Sequence, residues 1–211
     1  MKVLVLAAVS LLLAANDTSV QTVERFPPLQ PDQMTAAQKS AADAILSGPR
    51  KSLDGPFNAW LRSPELSNRL QKVGEYLRFN TSLPRDLNEF AILITGRVWS
   101  SGYEWYAHHP LAIKAGLRPS IAEHLKAGRR PASMSTDEAL IYDFSTQLHR
   151  DRQVSDALYK SVVARFGEQG AMDLIAVSGY YDLVCMTLNV AKVEPPADAK
   201  ETLPSPPVPA D

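Results

Sequence analysis

Residues Glu89 to Gly116 read EFAILITGRVWSSGYEWYAHHPLAIKAG, and the way this stretch divides decides the fold. From Leu87 to Trp99 the apolar residues Phe90, Leu93, Ile94 and Val98 recur at helical spacing. The spacing predicts a helix, a break supplied by Gly102, and a second helix restarting at Ser101. On that second helix Ser101, Glu104 and His108 stand at i, i+3 and i+7, which at ~100° per residue places them within a fan of roughly 60°. One face thus carries a hydroxyl, a carboxylate and an imidazole, while Glu89 stands among apolar residues on the first helix.

Plainer roles compete for the same residues. Ser101-x-x-Glu104 is also a capping box, whose side chains satisfy free backbone donors at a helix start; capping is the expected role of Ser101, and Glu104 stays open between the two. His108 falls too late in the helix to cap, and the alternative for it is a buried imidazole bonded to a backbone group. His109 lies ~100° around the helix from His108. The doublet therefore does not serve one site, and one member is expected to face solvent or a neighbouring subunit.

Working outward towards the N-terminus, Ser63 caps a helix with Pro64 at its first position and an apolar stripe of Leu66, Leu70, Val73 and Leu77, expected to be core. Ser82-Leu83-Pro84-Arg85 turns the chain into the Glu89 helix. Upstream, Thr35-x-x-Gln38 opens a helix that ends near Ser47-Gly48-Pro49, with Ile45 and Leu46 on its buried side. Gly55-Pro56-Phe57-Asn58-Ala59-Trp60 is a loop or short helix whose aromatic pair plugs the core or lines a pocket. Residues 20–34 hold Pro27, Pro28 and Pro31 and are expected to form an extended arm. Residues 1–19 resemble a secretory signal: Lys2 precedes the apolar run Val3–Leu13, shorter than the ~20 residues of a membrane span. The expected location is secreted or periplasmic, with no membrane association after signal removal.

Beyond Gly116, Pro119 starts a short helix to about Ala127, closed by Gly128. Ser135-x-x-Glu138 is a second capping box, leading into Leu140, Ile141, Phe144 and Leu148, with His149 expected at the surface. Ser155 to Phe166 repeats the pattern and ends at Gly167. The last helix, Ala171 to Lys192, is apolar nearly all round and needs cover on more than one face, while Asp173, Asp182 and Asn189 argue against a membrane span. Residues 194–211 form a proline-rich tail expected to be disordered. No segment alternates as a strand does, so the fold class is all-α, with one helical domain over residues 35–193. With 23 acidic against 22 basic residues, and with Arg129-Arg130, short and followed by Pro131, as the best candidate for a basic patch, nothing points to nucleic acid.

Glu89, the run Ser101-Gly-Tyr-Glu104-Trp-Tyr-Ala-His108 and Pro110 to Leu117 resemble the core of the carboxymuconolactone decarboxylase family, which includes the alkylhydroperoxidase D-like proteins. The resemblance extends to GPFNAWLRSPEL from Gly55, GEYLRFNTSLP from Gly74 and GYYDLVCMTLNV from Gly179, and spans about Phe26 to Val193. It implies packed helical hairpins, a homo-oligomer and a pocket near a subunit boundary. The peroxidase branch of that family carries Glu, then Cys-x-x-Cys-x-x-x-His; here Ser101 and Glu104 stand at the cysteine positions, and neither can cycle through disulfide and sulfenate. Cys185, the single cysteine, lies in an apolar run and reads as core.

The namesake reaction that the resemblance implies is loss of CO2 from a carboxylated unsaturated lactone, or related proton transfer on a similar small acid, with no cofactor and no metal. His108 would supply the proton, with Glu89 orienting the imidazole or shuttling its proton and Glu104 as the third catalytic group. Arg85 or Arg97 would hold the substrate carboxylate, since a guanidinium matches it with paired hydrogen bonds. Ser101, Tyr103 and Trp105 complete the expected substrate contacts, with Tyr106 and Tyr180 as further donors. A thiol peroxidase is disfavoured. A binding module without turnover stays open, and a metal enzyme is weaker, because no spacing specifies a metal.

Overall fold

A computed structural model of the chain describes residues 25–203; the apolar segment 1–19, read as a secretory signal, lies outside them. Among the described residues there are eight helices and no strand: α1 Ala36–Ser47, α2 Phe57–Trp60, α3 Pro64–Phe79, α4 Arg85–Val98, α5 Gly102–Ala115, α6 Pro119–Lys126, α7 Thr136–Asp151 and α8 Asp156–Ala191. The chain is all-α, as the periodicity requires.

The centre of the molecule is α4. Every residue from Leu87 to Gly96 is buried, because α5, α7 and α8 all pack on it. An α4 exposed on one side would need a polar stripe there, and between Leu87 and Gly96 it has none. Two interior polar groups are answered locally: Asn88 Nδ2 donates to the Leu77 carbonyl at 3.0 Å, and Thr95 Oγ1 bonds the Ala91 carbonyl at 3.2 Å.

The turn between α4 and α5 differs from the expectation that Gly102 supplies the break. The chain reverses at Trp99-Ser100-Ser101, with Ser100 in the left-handed region at φ 47°. The Ser101 amide returns to the Gly96 carbonyl and the Ser100 amide to Arg97, the paired bonds of a left-handed helix stop. Gly102 is already the first residue of α5. This tight reversal lays α5 antiparallel along α4, so Gly96 faces Glu104 and, two turns further on, Glu89 faces His108. At this crossing a Cβ on Gly96 would make ordinary contact with the Glu104 side chain at 3.7 Å.

Capping boxes form at Thr35/Gln38 and Ser135/Glu138 as read from sequence. Ser63 and Ser101 occupy N-cap positions but make no side-chain cap bond. The apolar stripe of α3 is also turned the other way: Leu66 and Val73 are each 47% exposed, Leu70 is half-buried, and the buried face is Ser67, Gln71, Gly74 and Leu77. The reason is Gly74. A Cβ there would stand 2.1 Å from Tyr180 Oη and 2.7 Å from Arg50 Nη2, so α3 presents its one residue without a side chain to a crowded polar wall. On α1, Ile45 is buried and Leu46 is 43% exposed, since neighbouring residues lie ~100° apart.

Gly167 breaks α8 with non-helical φ 74° and ψ 172°, at the place the sequence predicts. By length and composition α8 would suffice to cross a membrane, yet half of its apolar window is buried in protein. Asp173, near its middle, accepts from Tyr76 Oη at 2.9 Å and from the Ser82 amide and hydroxyl at 2.8 Å each. A helix that spends a buried carboxylate on knitting the α3–α4 turn to itself is built as a core element. The arm docks on its own chain: Asn58 receives the Leu29 amide at 3.0 Å and donates to the Phe26 carbonyl at 2.7 Å, and Arg25 reaches the Val190 carbonyl at 3.0 Å. The tail also returns to the fold as far as residue 203, with Pro195 beside Gly102 and Glu201 bonded to Lys126 at 2.9 Å.

Candidate functional site

The antiparallel α4–α5 pair brings Glu89, Glu104 and His108 together. His108 is buried, with Nδ1 at 2.7 Å from Glu89 Oε2 and Nε2 at 3.0 Å from Glu104 Oε1. The two contacts differ in kind. The Glu89 contact is a formed hydrogen bond, whereas the Glu104 contact is close but misaligned, and Glu104 Oε1 has no hydrogen-bond partner. The imidazole donates from Nδ1 to Glu89, while Nε2 lies close to the Glu104 carboxylate without a formed hydrogen bond. Burial alone would lower its pKa; Glu104 first and Glu89 second outweigh that and raise it to about 9. At neutral pH His108 is an imidazolium. The edge of the ring also packs against Tyr181, with centroids 5.2 Å apart.

The two carboxylates stand on opposite sides of a wall. A cavity of about 250 Å³ is lined by Glu104 and His108 together with Arg50, Arg78, Tyr103, Tyr180 and Tyr181. Its volume lies just under the usual ~300–1,000 Å³ of small-molecule sites. Glu89 is fully buried behind His108 and does not line it. Glu89 thus fixes the ring from the rear, and the loosely held Nε2 edge with Glu104 is the end a ligand can meet. Arg85 Nη2, 3.9 Å from Glu89 Oε1, adds a distant positive charge on the rear side.

Of the other residues singled out from sequence, Tyr103 lines the cavity, and its phenol is pushed up to about 12 by burial and by Asp54 and Glu104. Tyr180 is raised to about 12, chiefly by burial. Ser101, Trp105, Arg85 and Arg97 do not line it. Ser101 is buried beside Cys185, so neither capping nor ligand contact is its role. Trp105 is fully buried and stacks on His109 at 5.7 Å. Arg97 bonds the Lys126 carbonyl at 3.0 Å and Ser100 Oγ at 3.3 Å, tying α4 to α6. Arg85 is more than half exposed. The cationic groups that do face the cavity, Arg50 and Arg78, were missed because they sit outside the central stretch. The signal that could have found Arg50 is Gly74, against which its guanidinium packs.

His149, expected at the surface, is buried. Nδ1 bonds the Ser145 carbonyl at 2.7 Å and Nε2 meets Asp182 at 3.1 Å, while Trp99 Nε1 donates to the same carboxylate. Burial works against its charge, but Asp182 and the carbonyl raise its pKa. Position at a helix end did not reveal this, because α8 folds over the last turn of α7.

Cys185 is buried and its thiol is pushed well up by burial and by Glu104, the reverse of a thiol poised as thiolate. As for metals, Glu89 and Glu104 approach different nitrogens of His108, so the three do not converge on one point. His109, Glu123 and Glu201 bring one ligand atom each within 4.8 Å, but Lys126 Nζ already meets Glu201 at 2.9 Å.

Compared with known proteins, the chain matches no protein-family model and no curated protein.

Proposed function

We propose that this protein is a carboxymuconolactone decarboxylase-like enzyme of the branch without redox cysteines, catalysing cofactor-free proton transfer on a small unsaturated carboxylated lactone or similar acid. The observation that carries this reading is the buried His108 imidazolium, fixed from the rear by Glu89 and presented to a small cavity beside Glu104. When the carbon–carboxylate bond breaks, its electron pair stays on carbon and spreads into the conjugated carbonyl as CO2 leaves. His108 then transfers its Nε2 proton to that carbon and is left neutral, to be reprotonated from solvent. A positioned acid of this kind contributes typically ~10²- to 10⁴-fold. Glu104, beside the departing carboxylate, opposes its charge and favours departure as neutral CO2.

A thiol peroxidase is not supported, since Ser101 and Glu104 stand at the cysteine positions and Cys185 is buried. Copies of the chain associate through the outer face of α8, where Met172, Ile175, Leu183, Met186 and Val190 are 36–57% exposed and recur at helical spacing of three, eight, three and four residues. Sedimentation of Met186→Glu should give a smaller species than the wild-type chain, and an unchanged species would remove this assembly.

The functional test is CO2 release and loss of lactone absorbance when the chain meets a carboxymuconolactone, with His108→Gln in parallel. Turnover that falls at least about 100-fold in the variant supports the reading. Absence of turnover by the wild-type chain would remove the lactone reaction and favour a binding module.

A further inference from the structure

We propose that Arg50 and Arg78 form an oxyanion clamp in the cavity that His108 lines, holding the non-reacting carboxylate of a small organic acid. Arg50 follows α1 and Arg78 lies in the last turn of α3, and both line the cavity. Nε and Nη2 of Arg50 and Nε of Arg78 are buried and have no hydrogen-bond partner. A guanidinium stays charged in a protein, and a buried donor without an acceptor is costly unless something supplies one. Among the described residues neither arginine has a carboxylate partner. Arg130, Arg150 and Arg165 each pair with an aspartate.

The two guanidinium groups are also held in place. Arg50 lies over the Phe57 ring at 5.0 Å and Arg78 over Phe79 at 5.3 Å, contacts that fix a planar cation without satisfying its donors. Arg50 Nη2 and Tyr180 Oη both come within 2.7 Å of the point where a Gly74 Cβ would stand. Gly74 therefore opens the space that Arg50 and Tyr180 occupy. Tyr181 Oη is a further buried hydroxyl without a partner. Tyr180 and Tyr181 line the same cavity as Glu104 and both arginines, so the one cavity holds a carboxylate and two cations.

That polarity orients a ligand. A carboxylate is drawn to the guanidinium groups of Arg50 and Arg78 and repelled by Glu104, leaving the rest of the molecule to meet His108. The clamp rests on the reading of this cavity as the reaction site and names its substrate class: an acid that keeps one carboxylate while it reacts elsewhere. Inorganic phosphate shares the oxyanion chemistry, and the test separates the two.

The probes are fumarate, its neutral near-isostere fumaramide, and inorganic phosphate, titrated calorimetrically into the full chain and into Arg50→Met, Arg78→Met, Arg78→Lys and His108→Gln. Fumarate is expected to bind the wild-type chain at least about tenfold more tightly than fumaramide and phosphate, and each Met variant to lose about tenfold, Arg78→Lys less. His108→Gln removes the cation that the second carboxylate would approach and should lose less fumarate affinity than either Met variant. Equal affinity for fumarate and fumaramide, no fumarate binding at all, or wild-type affinity in both Met variants overturns the clamp. Tighter, arginine-dependent phosphate binding overturns its assignment to a carboxylate. If the Met variants fail to fold by circular dichroism, the wild-type preference among the three probes decides. Arginine-dependent fumarate binding with no acid turned over would leave the clamp standing and remove the proton-transfer reading; the converse would do the opposite.

Discussion

Replacing Glu104 by glutamine should lower the titration of His108 from about 9. Two opposed effects set the present value. Burial disfavours the imidazolium, and the carboxylates of Glu104 and Glu89 favour it more. At 3.0 Å from Nε2, Glu104 contributes an attraction of ~5 kcal/mol if the effective dielectric is ~20, an upper figure because the contact is misaligned. The rise from 6.5 to about 9 corresponds to ~3 kcal/mol, so the loss of Glu104 removes an attraction comparable to the whole rise and leaves Glu89 alone against burial. The sign for stability follows. The folded pKa is raised, so this stabilisation is fully present below about pH 6.5 and is lost as pH rises through about 9. Long-range proton–nitrogen NMR on the four histidines resolves the individual titrations, and His108→Gln assigns the signal. A wild-type His108 that titrates near 6.5, or a Glu104→Gln chain in which it still titrates near 9, would refute this account of the site.

Gly74→Ala places a methyl 2.1 Å from Tyr180 Oη and 2.7 Å from Arg50 Nη2; thermal unfolding should show a loss of ~1–3 kcal/mol, and an unchanged Tm would mean that the wall is softer than argued. His149→Gln should destabilise more at pH 5.5 than at pH 8.5: the His149 pKa is raised on folding, so its ion pair with Asp182 contributes below the unfolded value and fades as pH rises through the folded one. Denaturant melts at the two pH values check this, and an equal loss at both would remove the charged pair. Asp173→Leu strips three acceptor contacts from Tyr76 and Ser82 and should cost ~3 kcal/mol or more, whereas Asp156→Leu, at the exposed start of α8, should stay within about 0.5 kcal/mol. Cys185 should react with a thiol reagent only as fast as the chain opens, and rapid labelling of the native protein would contradict its burial.

The sequence by itself determined the helical class and most of the helix limits. Periodicity and caps are local, and Thr35/Gln38, Ser135/Glu138, Pro64, Pro119 and Gly167 act through the few residues beside them. It also brought out Glu89, Glu104 and His108, because two of them share a helix face and the third stands conspicuously in an apolar run. What only the tertiary structure decided was which side of each group does what. Spacing cannot say that Glu89 lies behind His108 and Glu104 before it; that depends on the reversal at Ser100, which sets the register of α5 on α4. Nor can it place Arg50 and Arg78 at the cavity and Arg85 and Arg97 away from it, since all four are ordinary arginines in ordinary helices or turns. The face that α3 buries was misread for the same reason. Apolar periodicity predicts burial when cover comes from one side, but the outcome here was set by steric demand from Tyr180 and Arg50, residues distant in sequence that need the space only a glycine leaves.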